Sequence, residues 1–411
     1  MIRNIIISDT EHDQFVKDHP NGDMCQLSSW AKIKQSLGWK WSRVSVGHED
    51  RVTGVASLLY KEIPIIKRSI CYVSRGFVVD WFDNESVKAL LEVVKEDAKQ
   101  HNAFLIKIDP VLEESTPHLL EQIESYGFNH QGFTFGFKEA IQPRFHMITD
   151  LNKSEKEILD SFQGLTRTNI RRANKYGFIL EEAPISKMAI FYNLMKETGA
   201  RGKFWIRDIS YFEQIYNEMN PKGEAQFYLV RLDPKAAIEG LDANDKNRQK
   251  ELKSLKKKKP TPEFEQQIKH LEEAIEKSAH QKKTLEQIAQ ENPAGYYLSG
   301  AIFVQSGGKG YYLYGASSNQ LRELLPNDFM VWEMMRQAKK RGCHSFDLGA
   351  ISGLEDKHED DAPGLYNFKK RWGAVKSARI GEFDYELSHF ISILYRQLFK
   401  LRQIYFNWQK N

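Results

Sequence analysis

Cysteine is scarce in this chain. Cys25, Cys71 and Cys343 are the only cysteines among 411 residues, and they form neither a CxxC pair nor a cluster with histidine. An odd number of widely spaced cysteines disfavours a disulfide framework and a structural zinc site. We therefore expect no metal site, and a reducing compartment such as the cytoplasm.

Long apolar runs are absent as well. The N-terminal stretch MIRNIIISDTEHD contains an apolar run that is too short for a signal peptide. No segment approaches the ~20 apolar residues of a membrane-spanning helix. These absences predict a cytoplasmic protein that is soluble, or at most peripheral at the inner face of the cell membrane.

Neither sign of charge dominates the composition. Lys and Arg total 59 while Asp and Glu total 55, which gives a formal net charge of +4. Any contact with nucleic acid must therefore depend on local patches. The hydrophobic content of 41% suffices for two domains with separate cores and an accessory element.

The longest helical pattern runs from residue 234 to 293 and is divided by Pro260 and Pro262. Apolar residues recur in both halves at alternating steps of three and four, as in a coiled-coil seam. The seam positions are Ile238, Leu241, Asp245, Arg248, Leu252 and Leu255, then Phe264, Ile268, Leu271, Ile275, Ser278, Lys282, Leu285 and Ala289. Because the prolines force a turn, we predict an antiparallel helical hairpin, the arm, over residues 236–292.

A turn near Thr261 would place Asp245 beside Ser278 and Lys282, so we predict that an Asp245–Lys282 pair fixes the register of the arm. A helix from Glu263 to Glu291 would be roughly 43 Å long, and we expect it to project. The flanking segments AQFYLVRLD and GYYLSGAIFVQSGG are strand-like. The arm therefore interrupts a β-meander.

One order of elements occurs twice along the chain. A helix, a strand pair, a third strand, a second helix and a final strand are predicted over residues 28–110 and again over residues 208–350. This order predicts an α/β fold with mixed sheets, made of two tandem acetyltransferase-like domains. We place the first domain at residues 1–150, completed by residues 386–411, and the second at residues 151–385 with the arm inserted.

Neither copy contains the Gly-rich turn that presents backbone amides to the pyrophosphate of CoA. The scaffold thus predicts acyl transfer from another donor. A CoA-dependent N-acyltransferase and a non-catalytic coiled-coil protein that binds tRNA remain as alternatives at this point.

A basic helix is predicted between the two copies. Arg167, Arg171 and Lys175 lie four residues apart in KSEKEILDSFQGLTRTNIRRANKYG and would share one helix face. Such a face can bind phosphate, or it can simply be solvated. A second group of cations, Lys256 and Lys257 within LKSLKKKK, is predicted at the tip of the arm. Such a group can contact the phosphate backbone of tRNA, or it can simply keep the tip soluble.

Seven motifs are spread over nearly the whole chain: EHDQFVKDHPNGDMCQLSSWAKIK, CYVSRGFVVD, IKIDP, IQPR at 141–144, RDISYF at 207–212, YYLYGASS and GLYNFKKRWG at 364–373. Together with the arm, these stretches resemble the FemABX aminoacyltransferases that build peptidoglycan cross-bridges, and they are most similar to the FemX type.

The resemblance implies transfer of an amino acid from aminoacyl-tRNA to the side-chain amine of the stem-peptide Lys in lipid II or another precursor. It leaves Gly, Ala and Ser open as the transferred residue. No cofactor is expected, since aminoacyl-tRNA is the donor. An aminoacyl ester is already activated, so no nucleophile triad is needed.

Phe368 and Lys369 match a Phe-Lys pair that the family uses at the donor end. The resemblance implies that Lys369 faces the oxyanion or leaving group and that Phe368 stacks on the terminal adenine. A solvated turn is the alternative for Lys369. Trp372, four residues from Phe368, is expected in the core.

On the acceptor side, Asp109 matches an acidic position that would orient the incoming amine, although Asp before Pro is also a common turn former. Lys34 and Arg207 match residues that contact the precursor's phosphates. Tyr211 and Tyr314 match aromatic neighbours of that cleft. An exposed helix position for Lys34 and core packing for the tyrosines are the alternatives.

Two further segments invite functional interpretation. The acidic loop LEDKHEDDAPG at 354–364 has the composition of a mobile segment and could gate the cleft. The C-terminal segment from residue 387 alternates apolar and basic residues at helical spacing. It suits either an anionic membrane surface or packing across the first domain with partial exposure, which we favour.

Overall fold

The computed structural model describes residues 2–49, 51–137, 139–292, 295–355 and 363–397. Its strands form two mixed sheets, of eight and seven strands. The α/β architecture with two such sheets is the predicted one.

The first sheet is built mainly from the N-terminal part of the chain. Its path is β1-β2-β3-β4-β6-β15-β7, and β5 pairs with β3. The strands are β1 (Arg3–Asn4), β2 (Lys40–His48), β3 (Arg51–Ile63), β4 (Arg68–Val73), β5 (Val78–Val79), β6 (Ala103–Ile108), β7 (Asn129–His130) and β15 (Phe383–Glu386).

The second sheet has the path β14-β8-β13-β12-β11-β10-β9. Its strands are β8 (Phe145–Asp150), β9 (Phe178–Glu182), β10 (Ala225–Leu232), β11 (Tyr296–Ser306), β12 (Lys309–Ser317), β13 (Ser345–Ile351) and β14 (Val375–Ala378).

The helices cover the sheets or connect them. They are α1 (Asp9–Asp18), α2 (Ser28–Ser36), α3 (Asn84–Gln100), α4 (Leu119–Ser125), α5 (Glu155–Ser161), α6 (Gly164–Ala173), α7 (Met188–Gly202), α8 (Ile209–Met219), α9 (Pro234–Leu255), α10 (Pro262–Glu291), α11 (Pro326–Lys340) and α12 (Pro363–Lys370). The predicted repeat is present, since α2-β2-β3-β4-α3-β6 corresponds to α8-β10-β11-β12-α11-β13.

The predicted domain limits need correction at both ends. Residues 145–150 form β8, which lies in the second sheet between β14 and β13, so the change of sheet comes before residue 145 and not at 150. Residues 383–386 form β15, which pairs with β6 and β7 of the first sheet. The chain thus returns to the first sheet earlier than residue 386. Pairing between distant strands, which local patterns do not reveal, decides both limits.

Each sheet has its own apolar core, and a third apolar core lies between the two halves of the chain. It combines Val16, Trp30 and Val55 from the first half with Phe191, Tyr211 and Phe227 from the second, among others. The buried Glu224 carboxylate also bridges the halves, because it accepts from Lys17 Nζ at 2.8 Å and from Ser29 Oγ at 2.5 Å. The cleft between the sheets is therefore held by both packing and charge.

The parallel strand pair at the centre of each sheet differs between the sheets. Strand β4 pairs with β6 in register up to its last residue, Val73. Strand β12 pairs with β13 only from Lys309 to Tyr311, although it continues to Ser317. The second sheet therefore splays open between β12 and β13.

The arm consists of α9 and α10, which pack against each other. Asp245 accepts from Ser278 Oγ at 2.8 Å and lies 2.8 Å from Lys282 Nζ, which confirms the predicted register. Burial acts to raise the pKa of Asp245, but the bonds from Lys282, Ser278 and Arg248 hold it below its ordinary value.

The arm does not project along its whole length. Four residues at its base belong to the core of the second domain, which anchors the hairpin: Ala237, Leu241, Leu285 and Ile288. At the tip, Lys256 Nζ lies 2.7 Å from Glu272 Oε1 and is therefore partly neutralised, whereas Lys257 is exposed.

The basic helix is shorter than predicted. Helix α6 ends at Ala173, so Lys175 lies beyond it, and the three cations do not share one helix face. Arg167 donates to the backbone carbonyls of Asp160 and Phe162, because these carbonyls end the preceding helix without helical partners. Arg171 stays exposed.

The C-terminal segment can be followed in part. A helix begins at residue 389 and is described to 397. The ring of Tyr395 lies 5.4 Å from that of Phe104, while Phe390 is 78% exposed. This part of the segment packs on the first domain with partial exposure, as predicted. Residues 398–411, and residues 356–362 of the acidic loop, lie outside the described ranges.

Among the described residues, no helix is both long and apolar enough to cross a membrane. Within the same ranges, no three His, Cys, Asp or Glu side chains are grouped so that they could hold a metal ion.

Candidate active site

The amine of Lys369 lies in the opening between β12 and β13. Its side chain is only 6% exposed, and Nζ donates to Ala350 O on β13 at 2.6 Å. Gly349 has φ +87°, and a Cβ there would lie 3.3 Å from Lys369 Nζ and 3.9 Å from Tyr312 O on β12. Glycine thus permits both the backbone turn and the close approach of the amine. Lys369 is not in a solvated turn.

Burial sets the protonation of Lys369. Removal from water disfavours the ammonium form and lowers its pKa to about 8, although the nearby carboxylate of Asp347 acts in the opposite direction. At neutral pH the group is therefore a buried cation that gives up its proton easily.

A buried polar chain leads from Asp347 across to the first domain. Asp347 Oδ2 lies 2.8 Å from His146 Nδ1, and His146 Nε2 lies 3.2 Å from a guanidinium nitrogen of Arg75. Because a guanidinium only donates, Nε2 must accept and Nδ1 carries the proton toward Asp347. Burial acts to raise the pKa of Asp347, but His146 and Arg379 hold it near 2.

Arg75 connects this chain to Asp109. The backbone N–H of Arg75 donates to Asp109 Oδ1 at 2.8 Å, and its Nη1 lies 3.3 Å from Asp109 Oδ2. Pro143 O, in the IQPR segment, accepts from Arg75 Nη2 at 3.1 Å. Asp109 is 2% exposed, and burial raises its pKa to about 6 against the pull of Arg75. In this conformation Asp109 holds Arg75, and its role toward an acceptor amine stays a prediction.

Phe368 borders a cavity of about 540 Å³ on the outer side of α12. The ring packs at 6.4 Å from Trp372, which is fully buried as predicted, and the Arg371 guanidinium lies 5.0 Å above Phe368. The other cavity walls come from Ser317 at the end of β12, the segment before α11 and the start of that helix: Arg322, Glu323, Leu325, Pro326, Asn327 and Asp328.

The first turn of α11 faces this cavity and has no side-chain cap. Free backbone N–H groups at a helix start favour anions. Arg371, which pairs with Asp328 at 3.1 Å, adds a cation. The cavity therefore combines an aromatic surface with free backbone N–H groups, while its charged side chains balance, since two arginines face Glu323 and Asp328.

Lys34 and Arg207 lie together at the other side of the cleft. Burial lowers the pKa of Lys34, and the charge of Arg207 lowers it further, so the two cations are close enough to repel each other. Lys34 Nζ stands 4.5 Å above the Trp30 ring. Arg207 is exposed, with its guanidinium 5.4 Å from the Tyr211 ring. Neither cation forms an ion pair with a carboxylate of the described part of the chain, and two such neighbours suit a polyanionic ligand.

Tyr211 and Tyr314 form the floor beneath these cations. Their hydroxyl oxygens lie 3.4 Å apart and their rings meet edge to face at 6.0 Å. Burial and the neighbouring Tyr314 raise the pKa of Tyr211. Both rings also pack in the core between the domains, so the packing interpretation and the cleft interpretation hold together.

The predicted residues thus fall into two sets. Lys369, Asp109, Lys34, Arg207, Tyr211 and Tyr314 line or support the region between the sheets, and Phe368 faces the adjoining cavity. The weak tRNA candidates Arg167, Arg171, Lys175, Lys256 and Lys257 are not part of this region.

Sequence reasoning missed Arg75, His146 and Asp347. Arg75 stands in the CYVSRGFVVD motif and His146 follows IQPR by two residues, so the quoted motifs pointed near them without identifying them. The pairing of β8 with β13 places His146 opposite Ala350, whose carbonyl accepts from Lys369. Only this long-range pairing brings the three residues near the Lys369 amine.

The site suits direct aminolysis rather than covalent catalysis. The three cysteines are all buried, and burial raises the pKa of the Cys25 thiol beside the cleft, which makes the thiolate nucleophile unfavourable. A buried ammonium in a splayed sheet can instead stabilise an oxyanion or protonate a leaving oxygen.

Comparison with known proteins gives consistent matches. A family model described as the FemAB family matches residues 7–400. A protein named lipid II:glycine glycyltransferase, from Staphylococcus aureus strain USA300, is 42% identical over 389 residues, or 93% of this chain and 92% of the relative. The protein of that name from strain bovine RF122 / ET3-1 is 41% identical over the same shares. A crystal structure described as FemX has a TM-score of 0.82 and 41% identity, covering 95% of this chain and 99% of that one.

Proposed function

This chain belongs to the FemAB family and is an aminoacyltransferase, and from that premise we propose that it moves an amino acid from aminoacyl-tRNA to the stem-peptide Lys amine of lipid II. The product would carry the first cross-bridge residue. The observation that carries the proposal is the Lys369 ammonium, buried in the opening of the second sheet near the charge of Asp347, from which His146 and Arg75 continue to the first domain.

The cavity beside Phe368 supports the donor assignment. Its volume of about 540 Å³ accommodates a nucleoside, its aromatic wall suits base stacking, and the uncapped start of α11 suits a phosphate. The splay between β12 and β13 then leads the aminoacyl ester from the cavity toward Lys369. Because this donor is an RNA end, CoA is not required.

Lys34 and Arg207 support the acceptor assignment. A diphosphate offers several anionic oxygens, which one ammonium and one guanidinium can bind with complementary geometry. The tyrosine pair beneath them would border the sugar. A relative is named for glycyl transfer to lipid II, so glycine is the first amino acid to test.

The reaction needs one proton to leave the amine and one to reach the ribose. The neutral acceptor amine attacks the ester carbonyl, the C–N bond forms, and the bond to the ribose oxygen breaks. Lys369 as ammonium stabilises the oxyanion and protonates the departing oxygen. The proton released by the amine then restores Lys369. Asp109 and Arg75 shape the acceptor side of this path.

The arm and the membrane are secondary parts of the proposal. The exposed tip around Lys257 and the exposed Arg171 would add weak contacts to the tRNA backbone. A lipid-linked acceptor also requires peripheral contact with the inner face of the cell membrane.

Transfer itself is the test. Purified protein, lipid II and tRNA charged with radiolabelled Gly, Ala or Ser should yield a branched precursor with one of the three amino acids. Acetyl-CoA in place of charged tRNA should give no acylated product.

Failure with all three charged tRNAs, or equal product from acetyl-CoA, would refute the proposal. An acyl adduct isolated on Cys25 during turnover would refute the direct aminolysis step. Replacing lipid II by the nucleotide-linked precursor in a parallel reaction shows which acceptor is preferred.

A further inference from the structure

The loop between α7 and α8, residues 203–208, presents two large apolar side chains to solvent. Phe204 is 49% exposed and its neighbour Trp205 is 74% exposed. The next residue, Ile206, points the other way, since a Cβ added to Gly199 on α7 would lie 2.6 Å from its Cγ2. Ile206 therefore anchors the loop, while Phe204 lies partly over Gly202 on α7 and Trp205 faces outward.

The loop has a defined shape. Lys203 closes α7 in the left-handed region, with φ 53°, and the backbone N–H of Phe204 donates to Gly199 O at 3.1 Å. Asp208 is the N-cap residue of α8. Because both ends and the middle are held, the exposure of Phe204 and Trp205 does not result from a loose chain.

The loop lies directly beside the cations that the proposed function assigns to the diphosphate. The Arg207 guanidinium lies 5.2 Å from the Trp205 ring and 5.4 Å from that of Tyr211. In a lipid-linked precursor the diphosphate joins the sugar to the lipid chain, so it lies at the level of the headgroups. The protein surface just outside Arg207 must then face the bilayer.

The charge of the segment fits an anionic membrane. Residues 196–208 include four cations, Lys196, Arg201, Lys203 and Arg207, and two acids, Glu197 and Asp208. Glu197 and Arg201 are occupied within the fold, because Glu197 accepts from Asn319 N at 2.7 Å and Arg201 donates to Ser317 Oγ at 2.9 Å. Cations next to exposed aromatic residues are typical of interfacial anchors, and each adds attraction to anionic lipids.

We propose that the loop of residues 203–208 docks on the anionic surface of a lipid bilayer, with Phe204 and Trp205 inserted among the headgroups. The inference deepens the proposed function, on which its orientation argument rests, by naming the surface that delivers the lipid-linked acceptor to Lys34 and Arg207. The loop, rather than the C-terminal helix that exposes Phe390, is the principal contact.

Binding to vesicles tests this without any transfer reaction. The full chain is co-sedimented with vesicles of phosphatidylglycerol and phosphatidylcholine that contain no lipid II. Phe204→Ser and Trp205→Ser should each lower the partition coefficient by about tenfold, the effect of exposing one large apolar side chain. Phe82→Ser, at an exposed position of the first domain, is the matched control and should bind like the parent.

A second readout locates the contact. Lipids brominated along the acyl chain should quench part of the tryptophan fluorescence, and Trp205→Phe should remove most of that quenching. The KM of Phe204→Ser for lipid II in vesicles should rise by about tenfold, while its KM for the water-soluble nucleotide-linked precursor should not change.

Unchanged vesicle binding of both loop variants, or a larger loss in Phe390→Ser, would overturn the proposal. A loss of tRNA affinity in the loop variants with vesicle binding intact would assign the loop to RNA instead. If the loop variants bind vesicles normally while lipid II is still modified, only the docking inference fails. If vesicle binding falls as expected but no transfer occurs, the proposed function fails and the docking surface stands.

Discussion

The central parallel strand pairs of the two sheets, β4–β6 and β12–β13, differ in where their pairing ends. In the first sheet β4 and β6 stay paired to Val73, and the residues that follow, Arg75 and Asp109, lock onto each other. In the second sheet β12 leaves β13 after Tyr311, and the Lys369 amine fills the opening. The closed pair builds a rigid wall, while the open pair provides a place for a reactive group. Within the proposed function, the acceptor is bound by Lys34 of the first half and Arg207 of the second, and the open strand pair of the second half catalyses.

The largest expected effect comes from Lys369→Met. The proposed catalytic cation is lost, so kcat should fall by roughly 10²–10³-fold, as for removal of an oxyanion donor. The free energy of unfolding at pH 7 should nevertheless rise by roughly 2 kcal/mol. Because the pKa of Lys369 is lowered to about 8, its buried charge reduces the free energy of unfolding by about 3 kcal/mol. The variant removes this cost but also loses the hydrogen bond to Ala350 O, which contributes about 1 kcal/mol.

The stability difference between Lys369→Met and the parent should depend on pH. The folded pKa lies below the unfolded one, so the parent carries the full cost below pH 8 and loses it as the pH rises toward the unfolded value. The variant's advantage in chemical denaturation should therefore be present at pH 7 and shrink above pH 8. Lys370→Met, at the exposed neighbouring position, should change neither activity nor stability. A destabilised or fully active Lys369→Met would contradict the assignment.

Substitutions at the acceptor side should affect binding and not turnover. Arg207→Gln should raise the KM for lipid II roughly tenfold to a hundredfold, the range for losing a hydrogen bond to a charged group, with kcat nearly unchanged. Steady-state kinetics at varied lipid II would measure this. Lys32→Gln, on the same helix as Lys34 but directed to Asp9 at 3.9 Å, is the control. A fall in kcat at constant KM would contradict the assignment of Arg207 to acceptor binding.

The carboxylate of Asp347, which lies near Lys369, should affect the pH dependence of kcat, and this effect should be smaller than the two described above. We expect kcat to decline above about pH 8, as Lys369 loses its proton. Asp347 raises the pKa of Lys369, so Asp347→Asn should move this decline to lower pH by about one unit. Asp384→Asn removes a buried carboxylate of the first sheet, 2.6 Å from Lys107, and should leave the decline in place. Equal shifts in both variants would indicate a general change in stability instead.

The smallest effect is expected at the arm, which lies outside both strand pairs. Replacing Lys256 and Lys257 by Ala should weaken tRNA binding a few-fold at low salt, and the difference should vanish at high salt because it arises from counterion release. Filter binding over a salt series would measure it. Lys269→Ala, at another exposed position on the arm, is the control. A salt-independent loss would point to a structural change in the arm.

The sequence predicted local features well and long-range pairing poorly. The Asp245–Lys282 contact follows from helical spacing and two prolines, and Trp372 in the core follows from spacing on one turn. The splay beside Tyr312 depends on which strands pair and where pairing stops, which no local pattern encodes. The same is true of His146, which reaches the site only because β8 joins the second sheet.

The candidate site shows the same division. Family motifs identified Lys369, Lys34 and Arg207, but not that Lys369 would be buried with a lowered pKa while Arg207 stays exposed. Burial is a property of the assembled cleft. It lowers the pKa of Lys369 to about 8, so that this ammonium can exchange a proton near neutral pH.

Strand β15 has a consequence for how the chain matures on the ribosome. It lies between β6 and β7, yet residues 383–386 are synthesised after every other described strand of both sheets. Until these residues are synthesised, the backbone N–H and C=O groups on one edge of β6 lack a strand partner. Exposed edges of this kind can pair with strands of other molecules. A fragment ending near residue 150 would keep this gap permanently. The first sheet is therefore completed only after residue 386 has been synthesised, when all strands of the second sheet are already present.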